Sequence, residues 1–298
     1  MKIERKQIRH LEEPKTLKEK LYRLRYTLAR RIVQFGLLFL FIGTARCGWT
    51  LFGKPILNGD LSTSRILDTI PLSDQFATLQ RLCAQWWLSS ETLIGAFFVL
   101  LIYIFVSGRS FCSWVCPMNL VTDASAWCRE KLGLKTEFFH IPNWARYIVM
   151  VLSLLVSLVS GVAAFEAVSP QAMIWREIVY GIGLGFISTV FGVFAFDLAV
   201  AKRGWCGHVC PLGAFWATVG SIGQIKVQYD ASTCSRCGDC LKVCPEPQVL
   251  NFNRASERGM VASGECTNCG KCIAICPENS LKFGLRSKVK HKKQNKIS

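Results

Sequence analysis

The sequence predicts a polytopic α-helical membrane protein, with four transmembrane helices followed by a small cysteine-rich α+β domain. Three observations carry this: four long apolar runs, an alternation of basic and base-poor connections between them, and eight cysteines in two identical runs near the C-terminus. Of the 298 residues 51% are hydrophobic and mean hydropathy is +0.28, yet the chain carries 36 Lys and Arg. Apolar and charged residues are therefore segregated along it.

The apolar runs cover 32–52, 93–106 (extendable back to Trp86), 147–165 and 178–200. A spanning helix needs roughly 20 mostly apolar residues, and these reach that length with their aromatic flanks. Arg46 sits inside the first run, near its outer end, where its side chain reaches the headgroups. A cleaved signal peptide is a poor reading, because some thirty polar residues come first.

Lys and Arg number eleven in 1–31, three in 53–90, five in 107–146, one in 169–177 and fifteen in 201–298. Basic segments stay in the cytoplasm, so the alternation gives four spans in the bacterial inner membrane with both termini cytoplasmic. The net charge of +16 tracks these boundaries and forms no aromatic-interleaved patch, which argues against nucleic acid as a partner.

Fifteen cysteines carry the chemistry, and eight of them form Cys234-x2-Cys237-x2-Cys240-x3-Cys244-Pro245 and Cys266-x2-Cys269-x2-Cys272-x3-Cys276-Pro277. Thiolates are the ligands that soft iron–sulfur clusters require. The x2 spacings wrap three sulfurs round one face of a cubane, while the fourth Cys points at the other cluster. The runs thus predict a double [4Fe-4S] ferredoxin-like domain, with one cluster on Cys234, Cys237, Cys240 and Cys276 and the second on Cys266, Cys269, Cys272 and Cys244. Zinc would explain four thiols per site but not two identical runs each closed by proline.

Two half motifs, Cys112-x3-Cys116-Pro117 and Cys206-x3-Cys210-Pro211, repeat the back half of that pattern. Each follows the inner end of a span and precedes a predicted surface helix, so the chain reads as two copies of span, span, motif, helix. Three readings stand for Cys112, Cys116, Cys206 and Cys210: a third thiolate-bound centre at the inner membrane surface, two dithiol switches, or turns whose prolines start the next helices. His208 is either a further ligand or a turn histidine. Cys47 and Cys83 both fall on the predicted periplasmic side, where a disulfide between them would persist, or two separate interfacial thiols would lie. Cys128 reads as an inert buried thiol.

The expected organisation is a basic cytoplasmic segment 1–30, a membrane domain 31–224, a double-cluster domain 225–285 and a basic tail 286–298. The outer stretch "LDTIPLSDQFATLQRL" mixes Leu67, Ile70, Phe76 and Leu79 with Asp68, Asp74 and Gln75, as either a headgroup pocket or a helix lying on lipid would. Glu166 and Asp197 are the carboxylates closest to hydrocarbon, each within about a turn of the interface, functional suspects or simply solvated. No paired histidines, CxxCH or phosphate-binding glycine loop favours haem, nicotinamide or nucleotide chemistry.

Four spans, two inner-side Cys-x3-Cys-Pro motifs and a C-terminal double ferredoxin together resemble the NapH family, the ferredoxin-type membrane component of periplasmic nitrate reductase systems. The local text is similar too, in "NGDLSTSRILDTIPLSDQFATLQ", "GRSFCSWVCPMNLVTDASAWCREKLGL" and "DLAVAKRGWCGHVCPLGAFWATVGS", and the likeness covers about residues 30 to 280. The resemblance implies a subunit of a quinol dehydrogenase. Its partners would be membrane quinol, a periplasmic ferredoxin-like electron-transfer subunit and the nitrate reductase complex, and its catalytic residues are not indicated. An alternative of the same layout is a membrane iron–sulfur maturation factor, reducing a metal or disulfide for a respiratory enzyme. A docking scaffold is a third.

Overall fold

The computed structural model describes residues 16–59, 62–84, 87–134, 141–181 and 183–286. Expectations for 1–15, for Trp86 and for 287–298 lie outside the described residues. The chain divides into two compact units, one of 16–32, 104–114 and 217–286 and the other within 33–103 and 115–216.

Helix α1, Leu17–Cys47, is 31 residues long and apolar enough to cross a membrane. It starts well before the predicted span and stops five residues short of residue 52, at Gly48, whose φ of 65° suits a residue without Cβ. The chain then forms a two-stranded ribbon, β1 (Thr50–Leu51) with β2 (Lys54–Pro55), and an antiparallel meander of β3 (Leu57–Gly59), β4 (Thr63–Ile66) and β5 (Ile70–Ser73). Helix α2 (Gln75–Ala84) follows, begun by Asp74, whose Oδ1 accepts from the N–H groups of Phe76 at 2.8 Å and Ala77 at 2.9 Å.

Next come α3 (Ser90–Val106), α4 (Ser110–Trp114), α5 (Met118–Lys131), α6 (Ala145–Ser160), α7 (Ala164–Val168), α8 (Pro170–Tyr180) and α9 (Leu184–Ala199). Of these α3, α6 and α9 are apolar but only 17, 16 and 16 residues long. Glycines shorten two of the predicted runs. Gly161, at φ 69°, ends α6, and a break at Gly181 and Gly183 separates α8 from α9. Glu177 bridges that break, its Oε2 accepting from the N–H groups of Gly183 and Phe186 at 2.8 and 2.6 Å at the start of α9.

Polar and apolar faces are inverted relative to a water-soluble bundle. Ile94, Phe97, Phe98 and Phe105 of α3 and Leu152, Leu155, Val159 of α6 are exposed, whereas Arg146 and Ser157 of α6 and Asp197 of α9 are buried. The segment 169–177, expected as a short outer turn, is instead most of α8, which buries Ala172, Ile174, Trp175 and Val179. A five-residue π-turn, Trp205–Val209, leads into α10 (Pro211–Ile222). The first part of α10 was expected on the surface but is enclosed: Pro211, Leu212, Gly213, Ala214 and Trp216 are all buried. Helix α5 matches that expectation on one side only, since Met118, Thr122, Ser125 and Arg129 form a buried stripe against α9.

In the other unit, β6 (Ile225–Tyr229) pairs antiparallel with β7 (Leu281–Leu285), Val227 opposite Phe283. Between them lie α11 (Asp239–Val243), α12 (Phe252–Arg258) and α13 (Lys271–Ile275). Val227, Tyr229, Val249, Leu250, Val261, Ile273 and Leu281 form the core. The start of α1 packs here, with the Tyr26 ring edge-on to Phe283 at 5.5 Å. The end of α10 approaches the loop before Cys266 backbone to backbone: a Cβ on Gly264 would lie 2.2 Å from the Ala217 carbonyl oxygen. No rotamer relieves such a clash, so Gly264→Ala is expected to destabilise the chain by about 1–3 kcal/mol, read as a lowered Tm.

Candidate functional site

The two cysteine runs fold into near-identical loops. In each, the residue before the second Cys and the glycine after it take positive φ: Arg236 (57°) and Gly238 (82°) in one, Asn268 (48°) and Gly270 (73°) in the other. Such turns aim successive backbone N–H groups into a concavity suited to negative charge. The Arg236 N–H donates to Cys234 Sγ at 3.4 Å. Each glycine opens a one-turn helix, α11 or α13, which places the third Cys, and each helix ends at the fourth Cys in extended backbone.

Burial is the dominant influence on four of these thiols, Cys240, Cys244, Cys266 and Cys272. It pushes Cys240 up to about 12, with the neighbouring thiols Cys237, Cys234 and Cys276 adding to the shift. Cys244 also rises to about 12, by burial and then by Cys269, while Cys266 rises to about 11 by burial despite the Asn268 N–H. Cys272 is raised by burial and by Cys269, Cys266 and Cys244. Thiolates crowded into a water-poor space need a cation among them. Among the described residues no three ligating side chains converge tightly enough for one bare ion. A cubane spreads its ligands more widely, and the thiol sets with their inward N–H groups fit one.

The first half motif lies beside this domain through residues that spacing alone did not single out. Arg109, 2% exposed, donates from Nη1 to the Glu265 carbonyl and from Nη2 to Glu246 Oε1, both at 2.9 Å. Ser113 Oγ donates to the Thr267 carbonyl at 2.7 Å, and Trp114 Nε1 to the Asn268 carbonyl at 3.1 Å. A signal for Arg109 was present in the repeat, because an arginine stands three residues before each half motif, Arg109 before Cys112 and Arg203 before Cys206.

The remaining half-motif cysteines belong to the other unit. Cys116 is buried, its Sγ 3.5 Å from Gln171 Oε1 and its carbonyl accepting from Gln34 Nε2 at 3.3 Å. Cys206 lies within the π-turn and Cys210 closes it, with the Cys210 N–H donating to the Trp205 carbonyl at 2.9 Å. Arg146 Nη1 donates to the Gly207 carbonyl at 3.0 Å, and Asp197 Oδ1 accepts from the Trp205 N–H at 2.8 Å. Asp197 is therefore fully buried and structural at this turn, not solvated. Arg203 pairs with Asp123. No third centre is supported at Cys112, Cys116, Cys206 and Cys210, and His208 joins no ligand group among the described residues. Cys47, exposed, and Cys83, half-buried, carry free thiols, as does Cys128.

Residues on either side of α6 enclose a cleft. Ser62, Thr63, Arg81, Glu166, Arg176 and Tyr180 are among the residues lining an open space of about 310 Å³. Ser62 and Glu166 also border a small inner pocket with Asp74, Phe76, Phe165, Gln171 and Leu212. Ser62 Oγ donates to Glu166 Oε1 at 2.5 Å, and Gln80 Oε1 accepts from the Phe165 N–H at 2.8 Å. Asp74 and Glu166, far apart in sequence, thus share one pocket. The pocket also meets the half motifs: Gln171 contacts Cys116, and Phe76 stacks 5.9 Å from Phe215 on α10.

Residues 91–135 and 182–229 match a family model described as a 4Fe-4S binding domain, and 226–277 match a 4Fe-4S dicluster domain. The first model falls on the two half-motif repeats, the second on the double cysteine run. Among curated proteins, the chain is 42% identical to the ferredoxin-type protein NapH of Haemophilus influenzae over 77% of this chain and 78% of that one. It is 39% identical to the methylamine utilization ferredoxin-type protein MauN of Methylobacillus flagellatus, over 77% and 79%. To NapH of Escherichia coli K12 it is 38% identical, over 80% of each. No solved structure matches.

Burial pushes the Asp74 carboxyl up to about 6, and the nearby Glu166 adds to the shift against the capping N–H groups. A carboxyl that holds its proton more tightly when folded contributes stability that is fully present below the unfolded value of about 4 and lost as pH rises through about 6. Asp74→Asn removes this titration, so the Tm of the variant relative to wild type should improve between pH 4.5 and pH 7.

Proposed function

The chain belongs to the family of ferredoxin-type iron–sulfur electron-transfer proteins that includes NapH and MauN, and we propose that it is a membrane quinol dehydrogenase component, passing electrons from quinol towards a periplasmic reductase. The observation that carries this reading is the short segment Arg109–Cys116. Arg109, Ser113 and Trp114 hold the Cys266–Cys269 loop, and the chain runs directly on to Cys116, whose Sγ lies 3.5 Å from Gln171 in the pocket that Asp74 and Glu166 share. An electron carrier that joins a lipid-side donor to a cluster domain needs such a link.

In this reading Cys234, Cys237, Cys240 and Cys276 hold one [4Fe-4S] cluster and Cys266, Cys269, Cys272 and Cys244 the second. The bound clusters supply one-electron storage over potentials set by their surroundings. The chain's contribution is to crowd the thiols, aim N–H groups at them and exclude water. Four bilayer crossings by α1, α3, α6 and α9 are supported by their lipid-like exposed faces, with the cytoplasmic orientation of both termini resting on the distribution of Lys and Arg. The three shorter helices, at about 1.5 Å per residue, span about 24 Å, close to what a locally thinned bilayer core accepts.

The quinol headgroup is assigned to the cleft beside Glu166. Its carboxylate accepts a phenolic proton, Asp74 behind it provides the next acceptor, and the ring rests against Phe165 and Tyr180. Clusters held by the eight cysteines, or by a periplasmic ferredoxin-like partner, would take up the two electrons one at a time, and both protons would leave towards the periplasm. The terminal acceptor is proposed to be a nitrate reductase system. MauN relatives of nearly equal identity bear a methylamine utilization name, so electron transfer in methylamine utilization is the competing outcome.

Anaerobic analysis of the purified chain should give about eight irons with matching sulfide, and Cys240→Ala about half as many. Glu166→Gln should slow reduction of the clusters by a quinol analogue at least tenfold with iron content unchanged; equal rates would remove the cleft from the reaction. Alkaline phosphatase fused after residue 298 should stay inactive, and activity there would overturn the orientation.

A further inference from the structure

We propose that Arg109 sets the reduction potential of the centre carried by the Cys266 loop, its buried guanidinium holding that centre more oxidising than it would otherwise be. The inference rests on the reading that Cys266, Cys269, Cys272 and Cys244 ligate a cluster. Arg109 reaches both ends of that ligand set: Glu265, whose carbonyl it binds, immediately precedes Cys266, and Glu246 stands two residues after Cys244. Ser113 and Trp114 fix the arm against the carbonyls of Thr267 and Asn268, inside the same loop.

A cation here matters because solvent does not screen it. Arg109 and Glu246 are 2% and 8% exposed at their side chains, where a unit charge acts through a far lower dielectric than water. The guanidinium field reaches the thiols of Cys266 and Cys112. Lys226, buried with Nζ 2.5 Å from the Gly220 carbonyl, is the second cation facing Cys266, while the Glu246 and Glu265 carboxylates oppose both. Around Cys240 in the other set, the foremost charged neighbours are thiols. Adding an electron to a cluster makes it more negative, so a buried cation favours the reduced form and a buried carboxylate disfavours it. Arg109 also belongs to the arm of the first half motif, which makes that motif the source of the charge.

The test is an EPR-monitored redox titration of the full membrane-bound chain, with clusters loaded, for wild type, Arg109→Lys, Arg109→Gln and Glu246→Gln. Arg109→Gln should lower one of two midpoint steps by at least tenfold in the reduction equilibrium constant, roughly 59 mV for one electron. Glu246→Gln should move the same step upward, Arg109→Lys should leave it near wild type, and the other step should stay in place. Opposite shifts from two partners of one ion pair are not what a purely structural clamp produces. Shifts of the same sign, or none, overturn the proposal. If Arg109→Gln does not assemble, the upward shift in Glu246→Gln decides alone. Iron and sulfide on the wild type, at about eight of each, keep the two readings apart: a shortfall removes the cluster assignment, whereas full occupancy with unmoved potentials removes only the role of Arg109.

Discussion

Eight thiols gathered in one small domain, half-buried or buried, impose a condition on everything around them. Cys240, Cys244, Cys266 and Cys272 all hold their protons more firmly than a free cysteine does, because burial and neighbouring sulfurs oppose ionisation. A domain this small, with a core of a few Val, Leu and Ile side chains and a single strand pair, does not create such a pocket for packing alone. Its geometry makes sense around a polynuclear cation that takes the thiolates, so folding and loading are two sides of one equilibrium. The left-handed turns at Arg236 and Asn268, costly for residues with a Cβ, are compatible with the same constraint.

The half motifs then acquire a structural meaning that spacing did not disclose. No separate centre is supported at them among the described residues. The first lends Arg109, Ser113 and Trp114 to the Cys266 loop, and the second is a π-turn held by Arg146 and Asp197. π-Turns inside helical proteins often mark sites where local regularity yields to function. Both segments resemble the handover piece of a ferredoxin in that a short helical turn is closed by Cys-Pro, an α-turn in the first and a π-turn in the second.

How much was legible in the sequence depended on whether the signal was local. The Cys-x2-Cys-x2-Cys-x3-Cys-Pro runs and the apolar stretches are read from neighbours in the chain, and family membership followed from them. Helix ends at Gly48, Gly161 and Gly181 fell inside apolar runs, where hydropathy averages over the very residues that stop a helix. The burial of α8 and of the first part of α10 escaped because 169–177 reads as a short turn between spans and the stretch after Pro211 as a surface helix. Pairings such as Asp74 with Glu166, Cys116 with Gln171 and Arg109 with Glu246 join residues distant in sequence, and no periodicity announces them. The arginine before each half motif was visible, but only the loop it grips gave it a role.

Tyr26 bears on how the molecule is made. Its ring lies against Gly270, so closely that a Cβ there would sit 2.5 Å from it. Tyr26 leaves the ribosome well before Gly270, with residues 27–269 made between them. The first helix therefore waits until residues 27–269 are made before its partner exists, and the domain it closes over stays unfinished until then. Iron and sulfide thus have an interval, after the last cysteine emerges and before Tyr26 settles over Gly270, in which the loop stands open to the machinery that delivers them.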